Sequence, residues 1–194
     1  DLNTNTKAPE NVPAAMLFAN AQKDLVYYMA SPNVNTNTLR LWSQHWTQTT
    51  YIDESNYELT ERNINGRVFN SLYADVLRDL SDARAIIAED EVISAADAKV
   101  QTAMISLIEI YTYHVLVDIF NDVPYTEAVM LLEELTPGFD NGADIYADLQ
   151  TRLTAAIADL NAGGSSGELG ASDLIYGGDV SLWTEFAQSM RLKL

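Results

Sequence analysis

An all-α fold is what this chain of 194 residues predicts, on three observations. Apolar residues recur at three- and four-residue intervals nearly throughout, the spacing that gathers one face of a helix. Proline and glycine punctuate the joints between those stripes. Hydrophobic residues make up 47% of the chain, enough for one sizeable core. More than half of the residues are expected in helix and almost none in strand.

The first helix follows Asn11 as cap and Pro13 in the first turn, with Ala14, Leu17, Phe18, Ala21, Leu25 and Tyr28 on its stripe. Ser31-Pro32-Asn33 ends it, and a second helix is read over Thr38 to Thr50. Both are placed at the edge of the array. The third has the cleanest stripe, Phe69, Leu72, Tyr73, Val76, Leu77, Leu80, Ala83 and Ile87. Ser94 with Asp97 three residues on reads as a capping box for a long fourth helix to Ile119, apolar almost all round and therefore central. Asn121-Asp122-Val123-Pro124 breaks it. Ile145, Leu149, Leu153, Ile157 and Leu160 mark a fifth helix closed by Gly163-Gly164, and Leu182, Trp183, Phe186, Met190 and Leu194 a sixth. Third with fourth and fifth with sixth read as antiparallel hairpins, the unit of tetratricopeptide-type arrays, although their starts do not repeat at a fixed period.

Eleven Lys and Arg against 28 Asp and Glu give a formal net charge of −17, which argues against nucleic acid or an anionic lipid surface and leaves neutral sugars compatible. No run approaches 18 apolar residues, and no basic segment leads into an apolar one, so no spanning helix or signal peptide is read. Without cysteine there is no disulfide framework and no thiolate metal site.

Most chemical motifs reduce to structure. Gly163-Gly-Ser-Ser-Gly167 matches G-x-S-x-G but lacks the strand-to-helix setting of a nucleophile elbow, and reads as a flexible connector. His45 and His114 lie in no metal-binding spacing and read as buried or half-buried histidines with a hydrogen-bond partner. Asp118, Asn121 and Asp122, and Asp140, Asn141 and Asp144, cluster at helix ends as caps and turns. Glu133 with Glu134, and Asp53 with Glu54, are sequence neighbours that rarely face each other across a cleft as glycoside hydrolysis requires. The aromatics are more informative, because Trp and Tyr present flat apolar faces to amphipathic ligands while polar neighbours fix orientation. Trp42 and Trp46, four apart, read first as core of the second helix. The polar loop after them offers Tyr51, Asp53, Asn56, Tyr57 and Arg62 as candidate ligand-binding residues, with Trp42 and Trp46 behind.

Leu41-Trp-Ser-Gln-His-Trp-Thr-Gln-Thr-Thr-Tyr-Ile-Asp-Glu-Ser-Asn-Tyr57 and Tyr113-His-Val-Leu-Val-Asp-Ile-Phe-Asn-Asp-Val-Pro-Tyr-Thr-Glu-Ala128 together resemble the SusD/RagB family. Leu2-Asn-Thr-Asn-Thr6, Leu72-Tyr-Ala-Asp-Val-Leu77, Leu135-Thr-Pro-Gly-Phe-Asp140, Leu174-Ile-Tyr-Gly-Gly-Asp179 and Trp183 to Leu194 follow in the family's order, so the resemblance covers nearly the whole chain. Asn121 stands where a glycine is common, and Gln188 and Met190 replace commoner Asn and Leu. The resemblance implies a tetratricopeptide-like all-α scaffold with irregular loops. It also implies residues 1–194 as the N-terminal segment of a single longer helical domain, with the C-terminal remainder outside this chain. The implied role is non-catalytic: an outer-membrane, cell-surface lipoprotein that captures oligosaccharide and delivers it to a TonB-dependent transporter of the SusC type. It needs no cofactor, and its only membrane contact is an N-terminal lipid anchor not carried here. From the helical array alone, a tetratricopeptide-type protein–protein scaffold is the alternative.

Overall fold

The computed structural model describes residues 12–34, 36–130 and 134–194; Asn11, the Leu2 to Thr6 stretch and Glu133 lie outside them. Helix α1 spans Ala14–Ala30, α2 Leu39–Trp42 and α3 Ile64–Asn70. A π-helical stretch over Ser71–Leu77 carries α3 without a break into α4, Arg78–Glu89. Helices α5 (Ala95–Phe120), α6 (Gly142–Leu160), α7 (Gly167–Ala171) and α8 (Val180–Lys193) complete the array. Among the described residues the only β pairing is a single bridge between Val123 and Asp140.

Every side of α5 carries buried residues, Met104, Ile105, Leu107, Ile108, Ile110 and Leu116 among them. By length and composition α5 could cross a membrane, yet most of it is enclosed by α1, α4, α6 and α8, which marks it as the core helix of a helical array. Ser94 caps it as its sequence suggests, its Oγ accepting the Asp97 N–H at 3.1 Å. The helix exits through Asn121 at φ 65°, a left-handed backbone that explains why glycine suits this position.

Polar pairs across the helices fix their direction. Arg84 Nη2 of α4 donates to Glu109 Oε2 at 2.7 Å and to Ser106 Oγ at 3.0 Å, while Tyr73, eleven residues earlier, reaches Pro124 beyond the far end of α5, so the two run antiparallel. From α6, Arg152 Nη2 donates to the same Glu109, and nearer the start of α6 the Tyr146 hydroxyl lies 2.9 Å from His114 Nδ1 and donates to Asp118. Those contacts make α5 and α6 antiparallel as well. His114 is thus buried and partnered; burial outweighs Asp118 and keeps its imidazole below its usual pKa. Glu109, nearly buried, is held between two arginines, which offsets the cost of taking its charge out of water.

Helix α1 is less peripheral than its place in the sequence suggests. It packs along the π segment and α4, buries Phe18 and Ala21 completely, and reaches α8 through Phe18 and Trp183 with ring centroids 6.2 Å apart. The loop between α7 and α8 is organised by one carboxylate. Asp173 Oδ1 accepts from Gln22 Nε2 at 2.7 Å and from the Ile175 N–H at 3.0 Å, and Oδ2 from Trp183 Nε1 at 2.8 Å and the Gly178 N–H at 2.9 Å. Gln22 Oε1 accepts the Leu174 N–H at 2.8 Å, so the buried amide is satisfied at both ends. Burial alone would raise the Asp173 pKa, but the four donors outweigh it and hold the carboxyl below its ordinary range.

The Gly163 to Gly167 stretch is a tethered turn rather than a flexible connector. Ser165 N–H donates to Asp97 Oδ1 at 2.6 Å and Ser166 Oγ to the Gly178 carbonyl at 2.8 Å. A Cβ on Gly164 would lie 2.1 Å from the Ala96 carbonyl oxygen, so its glycine serves close approach to α5.

Leu107, fully buried in α5, should cost roughly 2–5 kcal/mol when changed to alanine, against about 0.5 kcal/mol or less for Val92→Ala, which is 94% exposed; urea unfolding checks both. For Asp173 the folded pKa is depressed, so its contribution is present above the unfolded value of about 3.9 and is lost as pH falls through the folded value. Asp173→Asn should therefore lower stability at neutral pH by roughly 1–3 kcal/mol and flatten its decline on acidification, as read by melts from neutral to strongly acidic pH.

Candidate functional site

The loop that carries the sequence-predicted residues begins where α2 stops. Four residues long, α2 is far shorter than the helix expected over Thr38 to Thr50. It ends in a Schellman reversal: Gln44, at φ 58°, donates its N–H to the Leu41 carbonyl at 3.0 Å, and the His45 N–H returns to the Arg40 carbonyl at 2.9 Å. Because glutamine occupies the left-handed position that usually calls for glycine, the stop left no mark in the sequence. Two expectations change with it. Trp42 and Trp46 do not share a helix face and are half-buried rather than core, and His45 is exposed.

Past the reversal the backbone turns three more times through left-handed residues, Tyr51 at φ 54°, Tyr57 at φ 65° and Asn63 at φ 48°. The hub of this irregular loop is Glu54, whose side chain is buried. Gln48 Nε2 donates to Glu54 Oε2 at 2.8 Å, while Gln48 Oε1 accepts the Ser55 N–H at 3.1 Å and the Ser55 hydroxyl at 2.7 Å. Arg62 places Nη1 3.0 Å from Glu54 Oε1, a charge contact whose angle leaves that oxygen without a hydrogen bond, and Nη2 3.3 Å from Asp53 Oδ2. Burial would raise the Glu54 pKa; the Gln48 amide, its own backbone N–H and the Arg62 charge together hold it below the usual carboxylate range.

That hub aims the aromatics. Trp42 Nε1 donates to the Glu54 carbonyl at 2.8 Å, and the Trp42 ring stacks on Tyr57 with centroids 5.0 Å apart and planes 24° from parallel. One face of Trp42 is therefore spent on Tyr57, and the outward surface of the pair belongs to Tyr57, which is 68% exposed. A small hollow of about 80 Å³ beside Trp42, lined by Tyr28, Leu39, Ile64 and Val68, lies next to the pair. Trp46 has the Arg40 guanidinium 4.8 Å from its ring centroid, and Arg40 is itself held by the Met29 carbonyl at 3.3 Å.

Of the seven residues singled out, Trp42, Asp53, Tyr57 and Arg62 meet around Glu54. Tyr51, 79% exposed, and Asn56, also exposed, share the loop without a side-chain tie to the hub, and Trp46 stands apart with Arg40. Sequence reasoning passed over Gln48 and Glu54 as structural elements of the site; the signal was a carboxylate and an amide set among positions that form no helix face. Asp53 and Glu54 share one arginine instead of facing each other across a gap. The acidic groups at helix ends act as caps and turn acceptors: Asn141 Oδ1 takes the Ala143 N–H at 3.0 Å, Asp122 Oδ1 the Gly142 N–H at 2.9 Å, and Asp140 Oδ2 the N–H groups of Tyr125 and Thr126 at 2.9 and 2.8 Å.

Comparison with known proteins places this architecture. The model of a SusD-like family, described as starch-binding and associating with the outer membrane, matches residues 6–194. A SusD/RagB family protein from Bacteroides thetaiotaomicron is similar over 93% of this chain and 37% of its own, with a TM-score of 0.75 at 21% identity. A SusD-like protein of Bacteroidetes AC2a is similar over 94% of this chain and 33% of its own, with a TM-score of 0.69 at 22% identity. No curated protein matches the chain. The chain spans about a third of the length of these solved structures, whose likeness is one of fold. With a family model matched over nearly its whole length and its all-α hairpin array shared with these structures, the chain belongs to the SusD-like family.

Proposed function

We propose that this protein, as the N-terminal part of a longer helical domain, binds oligosaccharide at the outer cell surface without transforming it and passes it to a TonB-dependent transporter of the SusC type. A lipid on a segment preceding this chain would hold it at the outer membrane. The observation that carries the reading is the Trp42–Tyr57 stack: a flat aromatic face turned to solvent, backed by a second ring and tied through Glu54 to the Asp53–Arg62 pair. Sugar rings offer apolar C–H faces to such a surface and hydroxyls to the charged groups beside it. The family description, starch-binding in association with the outer membrane, agrees with that chemistry.

Catalysis has little support in the loop, because both of its adjacent carboxylates turn onto Arg62, whereas glycoside hydrolysis needs two carboxyl groups on opposite sides of the bond. The peptide-scaffold alternative calls for cationic side chains available along the inner helices. Arg84 and Arg152 are instead engaged with Glu109.

Tyr57→Ala should weaken glycan binding by the full chain at least tenfold while lowering the melting temperature by no more than a few degrees, since the ring is mostly exposed and loses only its stack on Trp42. Calorimetry with a glycan identified by array screening checks this, and equal affinity in wild type and variant would move the site off the loop. Glu54→Ala should weaken the same binding by disordering the platform, with a loss of the aromatic circular dichroism that Tyr57→Phe retains.

A further inference from the structure

We propose that the cleft between α4, α5 and α6 is a second binding site, which takes a single neutral hydroxylated ring such as one sugar residue. The cleft has a volume of about 260 Å³ and is lined by Ser81, Tyr113, Tyr125, Val129, Asp148 and Arg152, with Glu109 at its base. It shares no lining residue with the Trp42–Tyr57 platform and does not depend on that loop's role. At this size it falls just under the range of about 300–1,000 Å³ typical of drug-sized ligands, which suits one ring better than a chain of them.

The walls are fixed before any ligand arrives. Arg152 donates from Nη1 to the Tyr125 hydroxyl at 3.0 Å and from Nη2 to Glu109, and the Tyr125 hydroxyl donates to Asp148. Tyr113 meets Tyr125 edge-on with centroids 4.7 Å apart, and the Arg152 guanidinium lies 5.8 Å from the Tyr125 ring centroid. A half-buried aromatic ring is thus locked in orientation, which removes the ordering cost a flexible site would impose on its ligand. Hydrogen-bonding capacity is left over: among the described residues Asp148 uses Oδ2 and keeps Oδ1, and the Ser81 hydroxyl has no partner. Val129 lines the same cleft at φ 57°, a backbone region that is unusual for a β-branched side chain and persists only where its surroundings impose it.

Charge selects the ligand class. Within the lining Arg152 stands against Glu109 and Asp148, and Arg84, which pairs with Glu109 from outside the lining, brings these four charges to zero. A carboxylate or phosphate entering beside Asp148 would meet repulsion, and Arg152, already paired with Glu109, offers it little in return. A neutral ring with several hydroxyls satisfies Asp148 Oδ1 as donor, the Ser81 hydroxyl as either, and lays its C–H face on Tyr125.

The test is saturation-transfer NMR on the full chain with D-glucose, D-galactose, D-mannose, D-xylose and N-acetyl-D-glucosamine at millimolar concentration. At least one sugar should bind wild type and Tyr57→Ala alike. Its dissociation constant should rise at least tenfold in Ser81→Phe, which fills the cleft, and in Asp148→Ala; Asp148→Asn, closer to the native shape, is used should the alanine variant melt early. Absence of binding by all five sugars overturns the proposal. Binding that survives the Ser81 and Asp148 substitutions also overturns it, and loss in Tyr57→Ala alone assigns the sugar to the platform instead of the cleft.

Discussion

Enclosure of α5 is the constraint on which the rest of the structure depends. A helix with Met104, Ile105, Leu107, Ile108, Ile110 and Leu116 pointing in different directions cannot present one face to water and one to a partner, so it must be surrounded. Helices α1 and α4 cover one flank, α6 and α8 the other; residues 90–94 turn α4 directly into α5, while the longer stretch 121–141 carries the chain from α5 to α6. The one carboxylate that α5 buries, Glu109, lies where arginines from both flanks reach it, so the same residue that would destabilise an isolated core ties α4 and α6 to it.

A chain with a net charge of −17 would be expected to keep its carboxylates in water, yet several turn inward to organise loops. Asp173 gathers donors from α1, α8 and its own loop; Asp140 takes two consecutive backbone N–H groups; Glu54 collects Gln48 and Arg62. In each case a carboxylate does for irregular backbone what ladder hydrogen bonds do for helices. Both proposed sites then lie where helix periodicity ends. The Trp42–Tyr57 stack and the Tyr125 cleft are both held by such acid-centred networks rather than by loops left free.

The helical scaffold was legible because its signal is redundant. Eight apolar residues between Phe69 and Ile87 mark the third helix even though its middle is π-helical, and Ser94 with Asp97 announces the start of α5. The loop was not legible in the same way. Gln44, Tyr51 and Tyr57 adopt left-handed backbone that no residue-type preference forecasts, so a helix was expected across Trp46 and the tryptophans were set on one face. Residues of the loop could be picked out by chemistry, as Asp53, Tyr57 and Arg62 were, but the hub itself, Glu54, is recognisable only once Trp42, Gln48 and Arg62 are seen converging on it. Gly164 and Ser165 misled for a related reason: small residues suit flexibility and close packing equally, and only the nearby Ala96 and Asp97 decide between them.

A glycan-array screen of the full chain tests the central claim most directly. The account predicts binding to at least one neutral oligosaccharide, without cleavage of that oligosaccharide on prolonged incubation. Failure to bind any glycan, or recovery of shortened products, would contradict it.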